Sequence, residues 1–447
     1  MKCFGKMIPL FDLSLQLNGF PIKKAKAELR KIHSVSEQEF EIFVFNKKQE
    51  IVEFHLKHNY SYQKLVGNTS FQNWNDLPIM TKKNFQKPLI ERLSNGFSLK
   101  NVYVNKTSGS SGDPFIFAKD KFSHALTWAT NINRFGWHGI DFNSSYQARF
   151  YGIPLDFIGN KKERFKDFLG NRFRFSIFDL SDAVLERFLK KFETKKFDYI
   201  NGYTSSIVLF AKFLQQKNIV LRTICPTLKV CIVTSEMLFD EDKILLEKQF
   251  GVPIVNEYGA SELDLIAFEN PYGEWQVNSE TLFIEILDPE NNVLPYGKEG
   301  RIVITSLFNK AHPFIRYDIG DIGILDTKST LKKPILQQLI GRTNDVAVLP
   351  SGKKSPGLTF YYVTKSIIED DGNVKEFVIK QTKIDTFDIE YVSETELNFE
   401  QIQKIEMAIA LYLEKGLVFT FLRKEKLERS KSGKLKQFVS LIKEIAQ

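Results

Sequence analysis

Thr227-Leu-Lys-Val-Cys-Ile-Val-Thr234, followed by the segment Asp240–Phe250 and then Val252-Pro-Ile-Val-Asn256, decides the fold class. The first run is apolar and β-branched and reads as a strand. The second is a charged amphipathic helix, and the third returns to strand. A strand–helix–strand rhythm packs helices against a sheet, so the expected class is α/β, with stacked or doubly wound layers. Working outward, short β-type runs alternate with helical stretches from about residue 100 to 340. Within them, Thr281–Leu287 and Gly300–Thr305, joined by the turn-rich Asp288-Pro-Glu-Asn-Asn292, read as a β meander. Residues from about 20 to 95 look helical and charged, with apolar positions recurring in Phe40–Phe45 and Ile51–Leu56. Beyond about 345 the pattern is α+β: strands near 375–380 and 386–393, then a helix over Phe399–Lys415. That is a second, small domain.

A chain of 447 residues favours two or more domains with a sizeable core. Apolar residues at 43% and charged residues at 26% exclude wholesale disorder. Forty phenylalanines and 15 tyrosines imply aromatic-rich cores or pockets. The net charge of +8, from 62 Lys+Arg against 54 Asp+Glu, is spread rather than clustered on one stretch, so no nucleic-acid partner is expected. Three cysteines form no disulfide framework and match no zinc spacing; Cys225 and Cys231 read as buried apolar residues. No apolar run approaches the 18 or so residues that span a bilayer, and nothing near Met1 looks like a cleavage site. The sequence reads as cytoplasmic.

The strongest chemical feature is Thr107-Ser-Gly-Ser-Ser-Gly-Asp-Pro114, after the strand-like Asn101–Asn105. Gly109 and Gly112 permit backbone conformations closed to other residues. The hydroxyls of Thr107, Ser108, Ser110 and Ser111, with exposed backbone N–H groups, suit a polyphosphate. No lysine follows Gly112, so this is not a Walker A loop, and a flexible polar loop is the plain alternative. Three more signals lie downstream. Glu257-Tyr-Gly-Ala-Ser-Glu262 sets an aromatic beside a glycine turn, then a hydroxyl and a carboxylate. These could stack a base, touch a phosphate and hold Mg²⁺. Arg316-Tyr-Asp-Ile-Gly-Asp321 offers a carboxylate for ribose hydroxyls. Gly341-Arg-Thr-Asn-Asp345 sits where the composition shifts. Each alone reads as a turn with ion pairs.

Together, and in this order, they resemble the adenylate-forming (acyl-activating) enzyme superfamily, and within it the phenylacetate–coenzyme A ligase-like branch that includes CapK-type capsular polysaccharide proteins. The likeness runs from Leu77-Pro-Ile-Met-Thr-Lys-Lys-Asn84 to Ser432-Gly-Lys434. It implies a large N-terminal domain (1–343) and a small mobile C-terminal domain (344–447). Thr107, Ser108, Gly109, Ser110, Ser111 and Gly112 would wrap the ATP phosphates. Tyr258, between Glu257 and Gly259, would stack on adenine, with Ser235, Glu236 and Asn256 at the base edge. Ser261 would contact the α-phosphate and Glu262 would hold Mg²⁺. Asp321, assisted by Arg342, would bind the ribose; Asn344 would be the hinge. Lys434 would reach the α-phosphate and the substrate carboxylate, with Lys431 and Lys436 as competitors.

The resemblance therefore implies an AMP-forming ligase that activates a small carboxylic acid with Mg·ATP and passes the acyl group to an acceptor. Coenzyme A is one candidate; an amine or hydroxyl of a sugar or amino acid in a surface-polysaccharide pathway is the other. A catalytically silent nucleotide-binding protein is the remaining alternative. The chain departs from relatives in having Asn344 at the hinge and Ser261 where many carry Thr. It also lacks a Cys/His cluster after Glu262, so no zinc is expected. The stretch Val346–Lys354 looks closer to the CapK-type proteins. His124, His138 and His312 read as structural. Trp128, Trp137, Tyr146, Phe150 and Tyr151 read as helix core or as the lining of an acyl pocket.

Overall fold

The computed structural model describes residues 9–67, 73–107, 115–152, 157–177, 180–342, 346–352, 354–356, 374–412, 414–429 and 435–442. The chain divides into two compact units, residues 1–319 with 324–337, and residues 320–323 with 338–447.

The first unit opens with helices α1 (Leu10–Leu17), α2 (Ile22–Ser34), α3 (Glu37–His58), α4 (Tyr60–Val66) and the short α5 (Leu89–Arg92). A reciprocal cap starts α3: the Glu39 amide donates to Ser36 Oγ, and the Ser36 amide to the Glu39 carboxylate, each at 3.2 Å. In α2, Ile22, Ala25, Leu29 and Ile32 form one buried stripe, shared with Ala125, Leu126 and Ala129 of α6 (Lys121–Gly136). Before α6 comes an antiparallel hairpin, β1 (Val102–Lys106) and β2 (Ile116–Asp120).

The centre is a sheet of seven strands. In chain order these are β3 (Gln147–Phe150), β4 (Arg172–Phe175), β5 (Tyr199–Tyr203), β6 (Val230–Thr234), β7 (Ile254–Ala260), β8 (Asp264–Glu269) and β9 (Trp275–Val277). Their spatial order is β4–β3–β5–β6–β7–β8–β9. The pairings from β4 through β7 are parallel, and β8 and β9 return antiparallel. The connecting helices are α7 (Phe157–Leu169), α8 (Asp182–Thr194), α9 (Thr204–Gln216), α10 (Leu221–Ile224) and α11 (Asp240–Phe250). Every residue of β5 and β6 is buried, as expected where helices cover a parallel sheet. One face packs Phe150, Phe175, Phe188, Phe192, Phe197 and Phe210 into a single cluster, which accounts for much of the phenylalanine excess. Cys225 and Cys231 are buried there too. α11 coincides with the helix expected from sequence and ends at Gly251, whose φ of +69° supplies the left-handed cap.

Two segments differ from the sequence reading. The Tyr258-Gly259 pair lies inside β7 rather than after it, because β8 pairs antiparallel with that end and extends the ladder. Tyr317–Asp321 is strand, part of β12 (Tyr317–Leu325), in a sheet ordered β10 (Leu282–Leu287), β11 (Glu299–Ser306), β12, β13 (Leu336–Arg342). β10 and β11 are the expected antiparallel pair.

The second unit carries a small hairpin, β14 (Val346–Val348) with β15 (Lys354–Pro356). It also holds a four-stranded sheet ordered β18 (Val418–Arg423), β17 (Thr386–Ser393), β16 (Val374–Gln381), β19 (Phe438–Ser440). Phe377, Ile379, Phe387 and Ile389 of that sheet, with Ile405 and Ile409 of α12 (Phe399–Tyr412), are fully buried. This is the expected α+β arrangement. Among the described residues, no helix is long and apolar enough to cross a membrane.

His124, His138 and His312 are each held by packing or hydrogen bonds. His124 stacks on Tyr103 at 3.8 Å and accepts from Trp128 Nε1. His138 Nε2 meets the Glu269 carbonyl at 2.9 Å, and His312 bonds the Arg92 guanidinium at 2.7 Å. A deeper polar contact is the buried pair Arg134–Glu280, with two hydrogen bonds of 2.7 and 2.6 Å and His33 on the same carboxylate. Despite burial, the Arg134 charge and these hydrogen bonds hold the Glu280 carboxyl down at about 2. A carboxyl lowered by folding stabilises the fold fully above the ordinary carboxylate range and loses that contribution as pH falls towards 2. Arg134→Met should cost about 3–5 kcal/mol in urea denaturation at neutral pH, because Glu280 is left buried with its main counter-charge gone and only His33 as partner. It should also remove this branch of the acid sensitivity.

Candidate active site

Open parallel sheets bind ligands in the crevice beyond their carboxyl ends, and here those ends bring together the marked residues of β6 and β7. Register pairs Tyr203 with Thr234, and Thr234 with Glu257. The residues just past these positions, Ser235-Glu236 after β6 and Tyr258 on β7, therefore share one edge. Ser235 has φ +71°, which turns the chain sharply out of β6. The Glu236 carboxylate accepts the Ser205 amide at 2.7 Å and its carbonyl accepts Thr204 Oγ1, so this side chain caps α9. Thr234 Oγ1 donates to Glu257 at 2.9 Å, and burial raises the Glu257 carboxyl to about 6. Asn256 is part-buried, and its amide donates to Glu269 at 3.0 Å. Tyr258 is buried, with Trp275 edge-on at 6.0 Å.

Between Tyr258 and Gly259 the β7–β8 register shifts. A Cβ on Gly259 would stand 2.7 Å from the Asp264 carbonyl oxygen, so only glycine fits. The turn that follows exposes Ser261 and buries Glu262. Tyr317, fully buried, donates its hydroxyl to Glu262 Oε1 at 3.0 Å, and the other carboxylate oxygen has no hydrogen bond among the described residues. Tyr317 is held in turn by the rings of Phe85 at 5.3 Å and Phe314 at 5.4 Å.

Two site residues escaped the sequence reading. Lys119 of β2 is ion-paired with Asp264 and donates to the Ser261 carbonyl at 3.3 Å; Thr127 Oγ1 also donates to Asp264, at 2.6 Å. The stem of the glycine-rich loop is thereby tied to the Ser261–Glu262 turn. The stem closes at Thr107, whose amide and Oγ1 both bond Phe115 at 3.0 Å. Lys119 carries no local motif, and only its pairing across 145 residues reveals it. The second is Tyr317, quoted with its neighbours but given no role. Asp321 is buried in β12. Ser108, Gly109, Ser110, Ser111, Gly112, Asn344, Lys431 and Lys434 lie outside the described residues, as does the Arg342 side chain.

Magnesium is usually bound by one or two carboxylates plus phosphate oxygens and water. Glu262, with one oxygen fixed and one clear, fits that pattern. Among the described residues no three His, Cys, Asp or Glu side chains converge into a site of their own.

No family model matches the chain. It is 25% identical over 337 residues to Protein CapK of Staphylococcus aureus, covering 72% of this chain and 70% of that one. It is also 25% identical over 173 residues to the phenylacetate–coenzyme A ligase of Aromatoleum evansii, covering 34% of this chain and 38% of the relative. Among solved structures it superposes on 2-hydroxyisobutyryl-CoA ligase in the postadenylation state with 2-HIB-AMP. The TM-score is 0.67 at 13% identity, covering 88% of both chains. The amide bond synthetase McbA of Marinactinospora thermotolerans follows at TM-score 0.51 and 14% identity, over 75% of this chain and 68% of that one. The fold is thus that of the adenylate-forming enzymes. In sequence the chain resembles CapK over 72% of its length and, over a shorter stretch, a phenylacetate–coenzyme A ligase.

Gly259→Ala should lower stability by about 1–3 kcal/mol, since the added carbon meets backbone rather than a movable side chain. A thermal melt reads this directly, and Ala260→Gly in the same strand gives the comparison for a change with no steric conflict.

Proposed function

We propose that the protein activates a carboxylic acid with Mg·ATP to an acyl-adenylate and transfers the acyl group to a second nucleophile. The observation that carries this is Glu262, buried at the carboxyl end of the sheet with one oxygen fixed by Tyr317 and one clear. In the first half-reaction an oxygen of the substrate carboxylate attacks the α-phosphorus. The bond to the bridging oxygen of the β-phosphate breaks, and pyrophosphate leaves. Negative charge builds on both sides of the phosphorus, and pre-oriented charges stabilise it without reorganising. Magnesium held at Glu262 would neutralise phosphate charge there. Ser261 would donate to the α-phosphate, and Tyr258 would present its ring to adenine beside Ser235 and Asn256. Thr107 and the loop to Gly112 would take the outer phosphates. Asp321 and Arg342 would take the ribose. Lys434, a compact charge on a flexible stem, would serve the α-phosphate and the substrate carboxylate.

In the second half-reaction the acceptor attacks the acyl carbon, loses its proton and releases AMP. Coenzyme A is one acceptor. An amine or hydroxyl of a sugar or amino acid is the other, favoured by the likeness to CapK, which spans more of the chain than the ligase likeness. The division at 343/344, with Asn344 as pivot and a small unit that rotates between half-reactions, belongs to the same proposal. Asn visits left-handed backbone conformations more readily than most residues, which suits a pivot.

ATP–pyrophosphate exchange over a panel of acids, with and without coenzyme A, tests the reading. Glu262→Gln keeps the shape, loses the charge and should abolish exchange; exchange near the wild-type rate would overturn the magnesium assignment. Tyr317→Phe should slow exchange about tenfold and raise the magnesium concentration needed, since one hydrogen bond positions the carboxylate. An effect on melting temperature alone would assign Tyr317 a packing role only.

Lys434→Ala should slow adenylation by roughly 10²–10³ and transfer from preformed acyl-adenylate far less. A larger effect from Lys431→Ala or Lys436→Ala would move the assignment. Asn344→Pro, which fixes φ, should keep adenylation and lose transfer in single-turnover assays, whereas equal slowing of both steps would place the pivot elsewhere.

A further inference from the structure

Past Ser235 and Tyr203 along the order of the sheet, β3 carries a charge the adenylation chemistry does not use. Ala148 and Phe150 point into the phenylalanine cluster, so Arg149 between them points to the opposite face. Its register partners are Asn201 of β5 and Arg174 of β4. Arg149 is part-buried, its guanidinium carbon lies 4.1 Å from the centre of the Tyr151 ring, and its buried Nε has no hydrogen-bond partner. Among the described residues the guanidinium makes neither a hydrogen bond nor an ion pair.

The groups around it are arranged rather than solvated. Tyr151 donates its hydroxyl to Asn201 Oδ1 at 3.2 Å, and Gln147 Nε2 donates to the same oxygen at 3.2 Å. The Asn201 amide is spent on the Ile232 carbonyl, and the Tyr151 ring packs on Tyr203 at 4.7 Å. A part-buried cation with its hydrogen-bonding capacity unmet is costly unless something fills it. A guanidinium presents a planar fork that matches a carboxylate.

We propose that Arg149 receives a second carboxylate on the acid being adenylated, so that the substrates are dicarboxylic acids. This rests on the adenylation reading above. The carboxylate that attacks phosphorus cannot be the one at Arg149. Along the order β3–β5–β6–β7, that arginine sits three strand spacings, roughly 14 Å, from the strand that leads to Ser261 and Glu262. A diacid bridges the part of that gap the arginine side chain leaves open. A phosphate in place of the second carboxylate is disfavoured because Glu257 lies within electrostatic reach of Arg149 and opposes a dianion.

The test compares succinate, glutarate and adipate with butyrate, valerate and hexanoate in ATP–pyrophosphate exchange, using wild type, Arg149→Met and Arg149→Lys. Calorimetric binding of the diacids is measured in parallel without ATP. Wild type should favour at least one diacid over its matched monoacid. Arg149→Met should lower that kcat/KM ratio about 10- to 100-fold, mainly through KM, as loss of a charge-assisted hydrogen bond does. Arg149→Lys should restore part of it. A ratio unchanged in Arg149→Met, or wild-type preference for monoacids, overturns the proposal. So does diacid binding that is absent from wild type or equal in Arg149→Met. Exchange absent with every acid, alongside Arg149-dependent diacid binding, sinks the adenylation reading and keeps the carboxylate site.

Discussion

Tyr317 has no exposed surface, and three distant parts of the chain meet around it. Its hydroxyl fixes Glu262, while its ring is enclosed by Phe85 and Phe314. Its backbone forms a parallel bridge with Met80, whose amide bonds the Arg316 carbonyl at 2.9 Å and whose carbonyl accepts the Asp318 amide at 2.8 Å. Arg316 completes the junction by donating to the carbonyls of Asn75 and Leu77 at 2.9 and 3.1 Å. Glu262 therefore sits where it does because the Leu77–Asn84 segment, the aromatic cluster and β12 agree on one position for a phenol oxygen. A fixed carboxylate is what electrostatic catalysis asks for, since its orientation then costs nothing at the moment of reaction.

Much of the scaffold was legible because its signals are local. The Asp240–Phe250 helix matched to the residue: its charged pattern and its terminal glycine lie within one window. The candidate site could be marked in the sequence as a set of motifs but not as a geometry. Nothing near Lys119 announces that it pairs with Asp264. The aromatic stretch around residue 150 offered two readings, core or pocket, and its aromatic residues from 146 to 151 pack in or against the phenylalanine core. Tyr146 stacks on Phe197, Phe150 enters the core, and Tyr151 packs against that core and on Tyr203.

Backbone strain falls on three of the residues already described. Ser235, Asp264 and Arg316 all have positive φ, at +71°, +62° and +45°. Each such residue costs about 1–3 kcal/mol and persists only where its surroundings over-determine it. They do so here: Asp264 is gripped by Lys119 and Thr127, and Arg316 by the carbonyls of Asn75 and Leu77. These ion pairs and hydrogen bonds thus serve less to add stability than to hold the two unfavourable turns at Asp264 and Arg316 in place.

The Arg316–Asn75 hydrogen bond spans 241 residues of chain. During synthesis, the segment that leads into the glycine-rich loop emerges long before the strand it must dock against. Loop-closure entropy makes such contacts slow to form, and surface awaiting a late partner is open to aggregation in the interval. Met80 and Phe85, both buried in the finished protein, are in that position until residue 317 has left the ribosome. The nascent chain thus carries an uncovered apolar strip, and its yield in a cell depends on what shields that strip while the sheet is completed.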